Sequence, residues 1–417
     1  MAVIGAGLAG LSAARHLAAH DVDVRVLEAR TRVGGRLLNF PLDGGQAVEL
    51  GGEWMGPGQE RLAELARSVG VGTFRTHSAG SDRLELEGRV SDYSGSTPKL
   101  GWRGLLDAFQ LERRIQRLSD KVPVDEPWKS PGARRLDTQT LGGWLRTAAL
   151  TNAAGQVMES VARTLWGGDT GEVSLLHALF YLRANGGLRA CVGVEGGAQQ
   201  DRFHGGSQLI AERLGAELGE RLLLGTPVRK VELQGERVRI LAGGVELDAR
   251  RLVVAMSPPM TGRIRFEPPL PVWRDQLAQH MSNGAITKAM AFYDEPFWRE
   301  QGWSGRAISD RGPARVVFDN SPPDNSYGVL VGFIGGPDAR ELADVDDDTR
   351  RQAVVEGLAR VFGPSAGRPV SFVAQDWTED PWTRGGPHAA FSPGGWTAYG
   401  QHLRRPIGAV HWAGTET

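Results

Sequence analysis

Only five of the 48 basic residues are lysines, Lys99, Lys121, Lys129, Lys230 and Lys288, so generic positive charge in this chain is carried by arginine. Lys288 lies in Ala285-Ile286-Thr287-Lys288-Ala289-Met290-Ala291-Phe292-Tyr293, which alternates as a strand does and puts Ile286, Lys288, Met290 and Phe292 on one face. An ammonium among apolar neighbours is desolvated unless a polar group meets it. Its alternative is to pack the stem and carry the head to water. A second chemical feature sits at the start of the chain. Gly5-Ala6-Gly7-Leu8-Ala9-Gly10 has the G-x-G-x-x-G spacing that brings backbone against a pyrophosphate. Arg30-Thr31-Arg32-Val33-Gly34-Gly35-Arg36 follows, two adjacent glycines between arginines. Such a backbone can fold over a diphosphate, with a guanidinium to clamp it.

The flanking elements must position these groups. Ala2-Val3-Ile4 reads as a buried strand, Leu8 to Ala19 as a helix, and Asp23 to Leu27 as a second strand ending at Glu28. Gly5 allows the tight turn, Gly7 lets the phosphates approach and Gly10 lets helix and strand pack. The helix N-terminus offers free N–H groups and the positive end of its dipole. Glu28 comes eighteen positions after Gly10, close to the spacing of about 20 at which an acid reaches a ribose. This unit alone does not separate NAD from FAD. Further on, Gln59 to Val69 is an amphipathic helix, and Gly205-Gly206-Ser207-Gln208 opens another with Ile210, Leu214 and Leu218 on one face. Pro227 to Leu233, Val238 to Leu241 and Val245 to Leu247, split by glycine turns, read as an antiparallel meander, and Leu252 to Ala255 as a buried strand. Leu105, Phe109 and Ile115 space as a helix face, as do Val157, Val161 and Leu165, whereas Asp120 to Arg135 reads as a loop.

In this order the motifs resemble the flavin monoamine oxidase family over nearly the whole chain. The resemblance rests on Glu28-Ala29-Arg30, Gly34-Gly35-Arg36, Gly51-Gly52-Glu53-Trp54-Met55-Gly56, Tyr293 to Arg299 with its Pro296-Phe297-Trp298-Arg299, and Gly414-Thr415-Glu416-Thr417. It implies an α/β fold: a Rossmann-like FAD-binding domain of three layers, interleaved with an α+β substrate domain. The implied limits are 1–73, 205–283 and 385–417 for the first, and 74–204 and 284–384 for the second. By resemblance, Gly5, Gly7, Gly10, Glu28, Arg30, Gly35 and Arg36 hold the dinucleotide, and the backbone at Val228 meets the adenine. Gly52, Glu53 and Trp54 run beside the flavin, as do Trp377 and Trp382. Gly414 and Glu416 form a turn whose glutamate binds the ribityl chain. Lys288 positions a water near flavin N5 and aids the reaction of oxygen with reduced flavin. Gln200 faces the substrate, and His388 stands near one of the two positions where relatives sandwich the amine between aromatic rings. Some relatives attach FAD through a cysteine near Gly385-Gly386. Here Pro387 and His388 follow that pair, so FAD is expected to be non-covalent.

The implied reaction is hydride transfer from an amine to the flavin. An imine forms and is hydrolysed, and oxygen is reduced to hydrogen peroxide. The alternatives are another flavin oxidase or desaturase of the same architecture, acting on an amino acid, polyamine or porphyrinogen, or an FAD-binding protein without catalysis. Both ends read as cut, at Met1-Ala2 and inside the Gly414–Thr417 motif. By resemblance a helix facing the flavin follows that motif, and a chain lacking it is expected to bind FAD poorly.

Composition narrows the remaining classes. At 417 residues and 41% hydrophobic the chain can build two cores. A net charge of −1 points to neither nucleic acid nor a membrane surface. No apolar run has transmembrane length. The single cysteine, Cys191, excludes an internal disulfide and fits a reducing compartment, so a cytoplasmic location is the default expectation. His204, His388, His402 and His411 are scattered, and no metal site is expected. The expected partners are a small amine and oxygen, with a homodimer left open.

Overall fold

The computed structural model describes residues 1–42, 46–95 and 100–417, so Lys99 lies outside the described residues. A five-stranded parallel sheet has the order Val410–Ala413, Leu252–Ala255, Ala2–Ile4, Arg25–Leu27, Leu222–Leu223. Its strands come from the beginning, the middle and the end of the sequence. Alternation along the first strand explains the layers. Val3 joins a core with Leu11 and Ala14 of helix Leu8–Ala18 and Ile210, Ala211 and Leu214 of helix Gln208–Leu218. Ala2 and Ile4 face the other way, into a core with Val231, Val238 and Ile240 of a four-stranded sheet. That sheet is the expected meander, Val228–Gln234, Arg237–Ala242 and Val245–Ala249, with Arg265–Glu267 added in parallel. Helices, parallel sheet and meander make the three layers.

A seven-stranded sheet lies apart from these layers, in the order Ser371–Asp376, Ile286–Tyr293, Gly328–Gly335, Ala314–Asp319, Trp303–Ser309, Ser81–Leu86, Arg89–Tyr93. All its pairings are antiparallel except that of Trp303–Ser309 with Ser81–Leu86. Every residue of the lysine strand Ile286–Tyr293 is buried. Ala289, Ala291 and Tyr293 pack with Leu358 and Val361 of helix Asp347–Phe362. Met290 and Phe292 pack on the opposite face with Val48, Leu50 and Phe318.

Helices Gly101–Ser119, Leu141–Ala148, Asn152–Trp166 and Leu175–Ala184 share a further core. Here one expectation fails. Leu105 and Phe109 are exposed, and the buried face of Gly101–Ser119 carries Gly104, Asp107, Leu111 and Ile115. Spacing identified a helix but chose the wrong stripe, because small and polar residues occupy the inner positions. Asp120 to Arg135 is mostly irregular, as expected, but holds the short helical turn Pro127–Lys129 and the start of helix Ala133–Asp137. Among the described residues no helix is long and apolar enough to cross a membrane.

Candidate active site

Two cavities meet in the interior. The first, a cleft of about 430 Å³, lies over the C-terminal ends of the parallel strands and is lined by Gly5, Gly7, Glu28, Arg30, Gly35, Val228, Trp382 and Gly414, among others. The second, a chamber of about 360 Å³, is mostly apolar and is lined by Gly52, Glu53, Trp54, Tyr181, Lys288, Phe333 and Trp377, among others. Arg36, Leu37 and Thr415 line both, so one space continues into the other.

Backbone geometry fits the cleft to a dinucleotide. Gly5 has φ +99°, and a Cβ there would stand 2.6 Å from the Ala255 carbonyl oxygen. A Cβ on Gly10 would stand 2.0 Å from the Gly5 oxygen, so this glycine makes the close helix–strand contact. A Cβ on Gly7 would meet nothing within 4 Å: the space is open on the side facing the cleft. Gly7 caps the helix without a side-chain hydrogen bond, and no acid occupies the first turn. That end therefore keeps free N–H groups for an anion. The Gly34 N–H bonds the Ala6 carbonyl at 2.9 Å and ties the arginine element to this loop. Glu28 is held by the N–H groups of Ala6 and Arg30 at 2.7 and 2.9 Å. These residues fit FAD at its phosphate and ribose groups.

The arginines are anchored by partners distant in sequence. Arg30 lines the cleft while its guanidinium bonds Asp380 at 2.5 and 3.3 Å. Arg36 forms a bidentate pair with Glu416 at 2.7 and 3.1 Å and also donates to the Pro387 carbonyl. Glu416 lines neither cavity and also accepts the Ala389 N–H at 3.0 Å. Burial works against its carboxylate, but Arg36 and these bonds hold it below the usual carboxylate range. Glu416 thus anchors Arg36, which lines both cavities.

Two further residues lie off the walls where they were expected, Gln200 and His388. Gln200 lines neither cavity; it accepts from Gly196 N–H at 3.1 Å and donates to Asp201 at 2.9 Å. Its neighbour Gln199 lines the chamber, donates to the Cys191 carbonyl at 3.1 Å, and keeps Oε1 buried without a partner among the described residues. Both glutamines sit in a turn, where no period chooses between neighbours. His388 also lines neither cavity. It stacks flat on Tyr181, with centroids 4.9 Å apart, and Tyr181 is the ring on the chamber wall. Trp382 lines the cleft, as a cofactor-binding residue should, under the Arg229 guanidinium 5.2 Å away. Trp377 is in the chamber, its indole N–H on the Leu50 carbonyl at 2.9 Å.

Lys288 projects into the chamber as its strand position required. Its cross-strand partners are Phe333 and Gln375, and Nζ stands 5.6 Å from the Phe333 ring and 5.2 Å from Trp54. Nζ donates to Glu53 and, at 3.1 Å, to the Gly51 carbonyl. Gly51 reaches it because the chain runs tight against the arginine element: a Cβ there would be 2.2 Å from the Arg36 oxygen. Glu53 therefore belongs to the lysine. Sequence reading missed Gln199, Tyr181, Phe318, Phe333 and Arg306 on the chamber wall. Cross-strand register puts Phe333 there, and register is not visible in one sequence. Cys191 is also on the wall, with burial pushing its thiol up to about 12 and so disfavouring the thiolate. No metal-ligand cluster occurs among the described residues.

Known proteins resemble this chain in sequence and fold. AofH of Mycobacterium tuberculosis, whose name assigns it to the flavin-containing monoamine oxidases, is 41% identical over 415 residues, covering the whole of this chain and 90% of that protein. The structure of cyclohexylamine oxidase from Brevibacterium oxydans IH-35A superposes with a TM-score of 0.95 at 33% identity, covering all of this chain and 92% of that one. Putrescine oxidase bound to putrescine gives 0.95 at 31%, covering 99% and 92%. The profile of the flavin containing amine oxidoreductases matches residues 8–417, and with a dinucleotide cleft opening into an apolar, lysine-bearing chamber, the chain belongs to that family.

Proposed function

We propose that the chamber is the amine site and that Lys288 works at its junction with the cleft. The observation that carries this is the continuity of the two cavities through Arg36, Leu37 and Thr415, with Lys288 on the chamber side. FAD, held non-covalently in the cleft, supplies the chemistry: a hydride acceptor for the carbon bearing nitrogen, leaving an imine for hydrolysis, and a donor of the electrons to oxygen as hydrogen peroxide. The chain's own residues bind, orient and exclude water. Trp54, Phe318, Phe333 and Trp377 form apolar walls, and Gln199 offers a carbonyl oxygen to the amine N–H. Apolar walls beside cations favour the uncharged amine, the form able to give up hydride. Lys288 has three N–H groups and spends two on the protein, leaving one to hold a water or to meet reduced oxygen. We read 1–73, 205–283 and 385–417 as the FAD-binding unit, and 74–204 and 284–384 as the substrate unit. The strands of the parallel sheet all fall in the first set, and those of the seven-stranded sheet in the second.

The test is the visible spectrum during anaerobic addition of amines. Bleaching of the flavin by an apolar monoamine, with recovery in air, is expected. A diamine should bleach it more slowly, since the only carboxylate lining the chamber among the described residues, Glu53, is already paired. A flavin indifferent to every amine would defeat the reading.

A further inference from the structure

From the chamber wall inward four ionisable side chains form a line shielded from solvent, Lys288 and Glu53 on the wall and Arg202 and Glu49 behind it. Lys288, Glu53, Arg202 and Glu49 have side-chain exposures of 4%, 0%, 2% and 0%. Glu53 stands between two cations. Its Oε2 accepts from Lys288 Nζ, and its Oε1 lies 2.9 Å from Arg202 Nε. Arg202 bonds Glu49 at 2.9 Å and the carbonyls of Asn320 and Ser321 at 3.0 Å. The line holds two acids and two bases. Nearby charges are committed elsewhere: Asp319 to Arg299, Asp82 to Arg306, and Glu416 to Arg36.

We infer that Glu53 is the positioning residue for Lys288: anchored from behind by Arg202 and Glu49, it fixes the direction of the ammonium and supplies its counter-charge in an apolar chamber. The inference rests on the reading of Lys288 given above. A buried ammonium without a counter-ion gives up its proton. The Gly51 carbonyl can orient Nζ but brings no charge. Glu53 in turn needs Arg202, because without that guanidinium the two buried carboxylates would face a single ammonium. Glu49 closes the line. Burial pushes its carboxyl up to about 7 against the pull of Arg202. Protonation of Glu49 leaves Arg202 with Glu53 as its only charged partner in the line and loosens the hold of Glu53 on Lys288. Reoxidation should therefore slow below about pH 7.

The inference is tested on the flavin-loaded protein with Glu53→Gln, Glu53→Asp, Lys288→Met and the Glu53→Gln/Lys288→Met double variant. Reoxidation of the reduced protein is followed after mixing with oxygen, from pH 6 to 9. Separately, reductive methylation of each lysine is followed by mass spectrometry, where the small number of lysines makes every site resolvable. Glu53→Gln is expected to slow reoxidation about tenfold, equivalent to about 1.4 kcal/mol, to remove the limb near pH 7, and to speed methylation of Lys288 about tenfold at pH 8. In the double variant Glu53→Gln should add less than twofold to the effect of Lys288→Met, and Glu53→Asp should restore part of the rate. Multiplying effects in the double variant, or unchanged methylation of Lys288 in Glu53→Gln, would overturn the inference. If Lys288→Met reoxidises like the parent, both the inference and the role of Lys288 fall, while bleaching by amine still decides the amine reading on its own.

Discussion

At the residue scale, adjacent side chains in one turn separate two roles. Gln199 faces the chamber and Gln200 is bound to its own loop. Gln199→Leu removes the free acceptor and should raise KM for the amine about tenfold, the cost of about one hydrogen bond. Gln200→Leu should change it less than twofold. Steady-state kinetics of the two variants decides. The lysine itself was legible, since period two alone put it on the face of Met290 and Phe292. Its partners were not. Glu53 was readable as part of a glycine-rich motif, but its pairing with Lys288 spans 235 positions, and that of Arg202 with Glu49 spans 153. Long-range ion pairs leave no local period.

At the element scale, the first turn of the dinucleotide unit was the most legible part of the chain, because each glycine has a separate steric reason. Those reasons predict opposite behaviour for two substitutions of the same kind. Gly10→Ala drives a Cβ to within 2.0 Å of the Gly5 oxygen and should destabilise the protein by about 3 kcal/mol, a severe case of overpacking. Gly7→Ala meets no protein atom within 4 Å, so the melting temperature of the flavin-free protein should stay unchanged while FAD affinity falls. Thermal melts with and without FAD separate the two; equal losses of stability would contradict the assignment. The strands were legible as elements but their order was not. Alternation gives a strand its two faces, whereas the parallel pairing that completes the seven-stranded sheet, Trp303–Ser309 with Ser81–Leu86, joins segments far apart in sequence. Helix Gly101–Ser119 shows the limit of pattern reading, for its inner face carries Gly104 and Asp107 where larger apolar residues would be expected.

At the scale of the whole molecule, acid is the stress to which this interior is most sensitive. Burial lowers His177 to about 3, helped by the nearby His388, and lowers His388 to about 4. In the unfolded chain both titrate near 6.5. Their contribution to stability is complete above about pH 6.5 and is lost as pH falls toward 4 and 3, each by up to about 1.4 kcal/mol per pH unit. Glu49 acts in the opposite sense, because its raised value makes the folded state hold a proton that the unfolded chain releases. Two losses against one gain leave a net slope of about 1.4 kcal/mol per pH unit between 6.5 and 4.5 from these three groups. His388→Phe keeps the ring on Tyr181 and should flatten that slope. Urea midpoints from pH 7 to 5 provide the check, and an unchanged slope would refute it. The order of the parallel sheet has a consequence in time. Its strands at Ala2–Ile4 and Leu252–Ala255 are made long before Val410–Ala413, which pairs with the latter at the sheet edge. During synthesis on the ribosome the edge of Leu252–Ala255 therefore waits unpaired for some 150 residues, on the order of ten seconds or more at ordinary elongation rates. An open edge of this kind is a template for wrong pairing. The nascent chain is thus most exposed to aggregation in the interval between the making of these two strands.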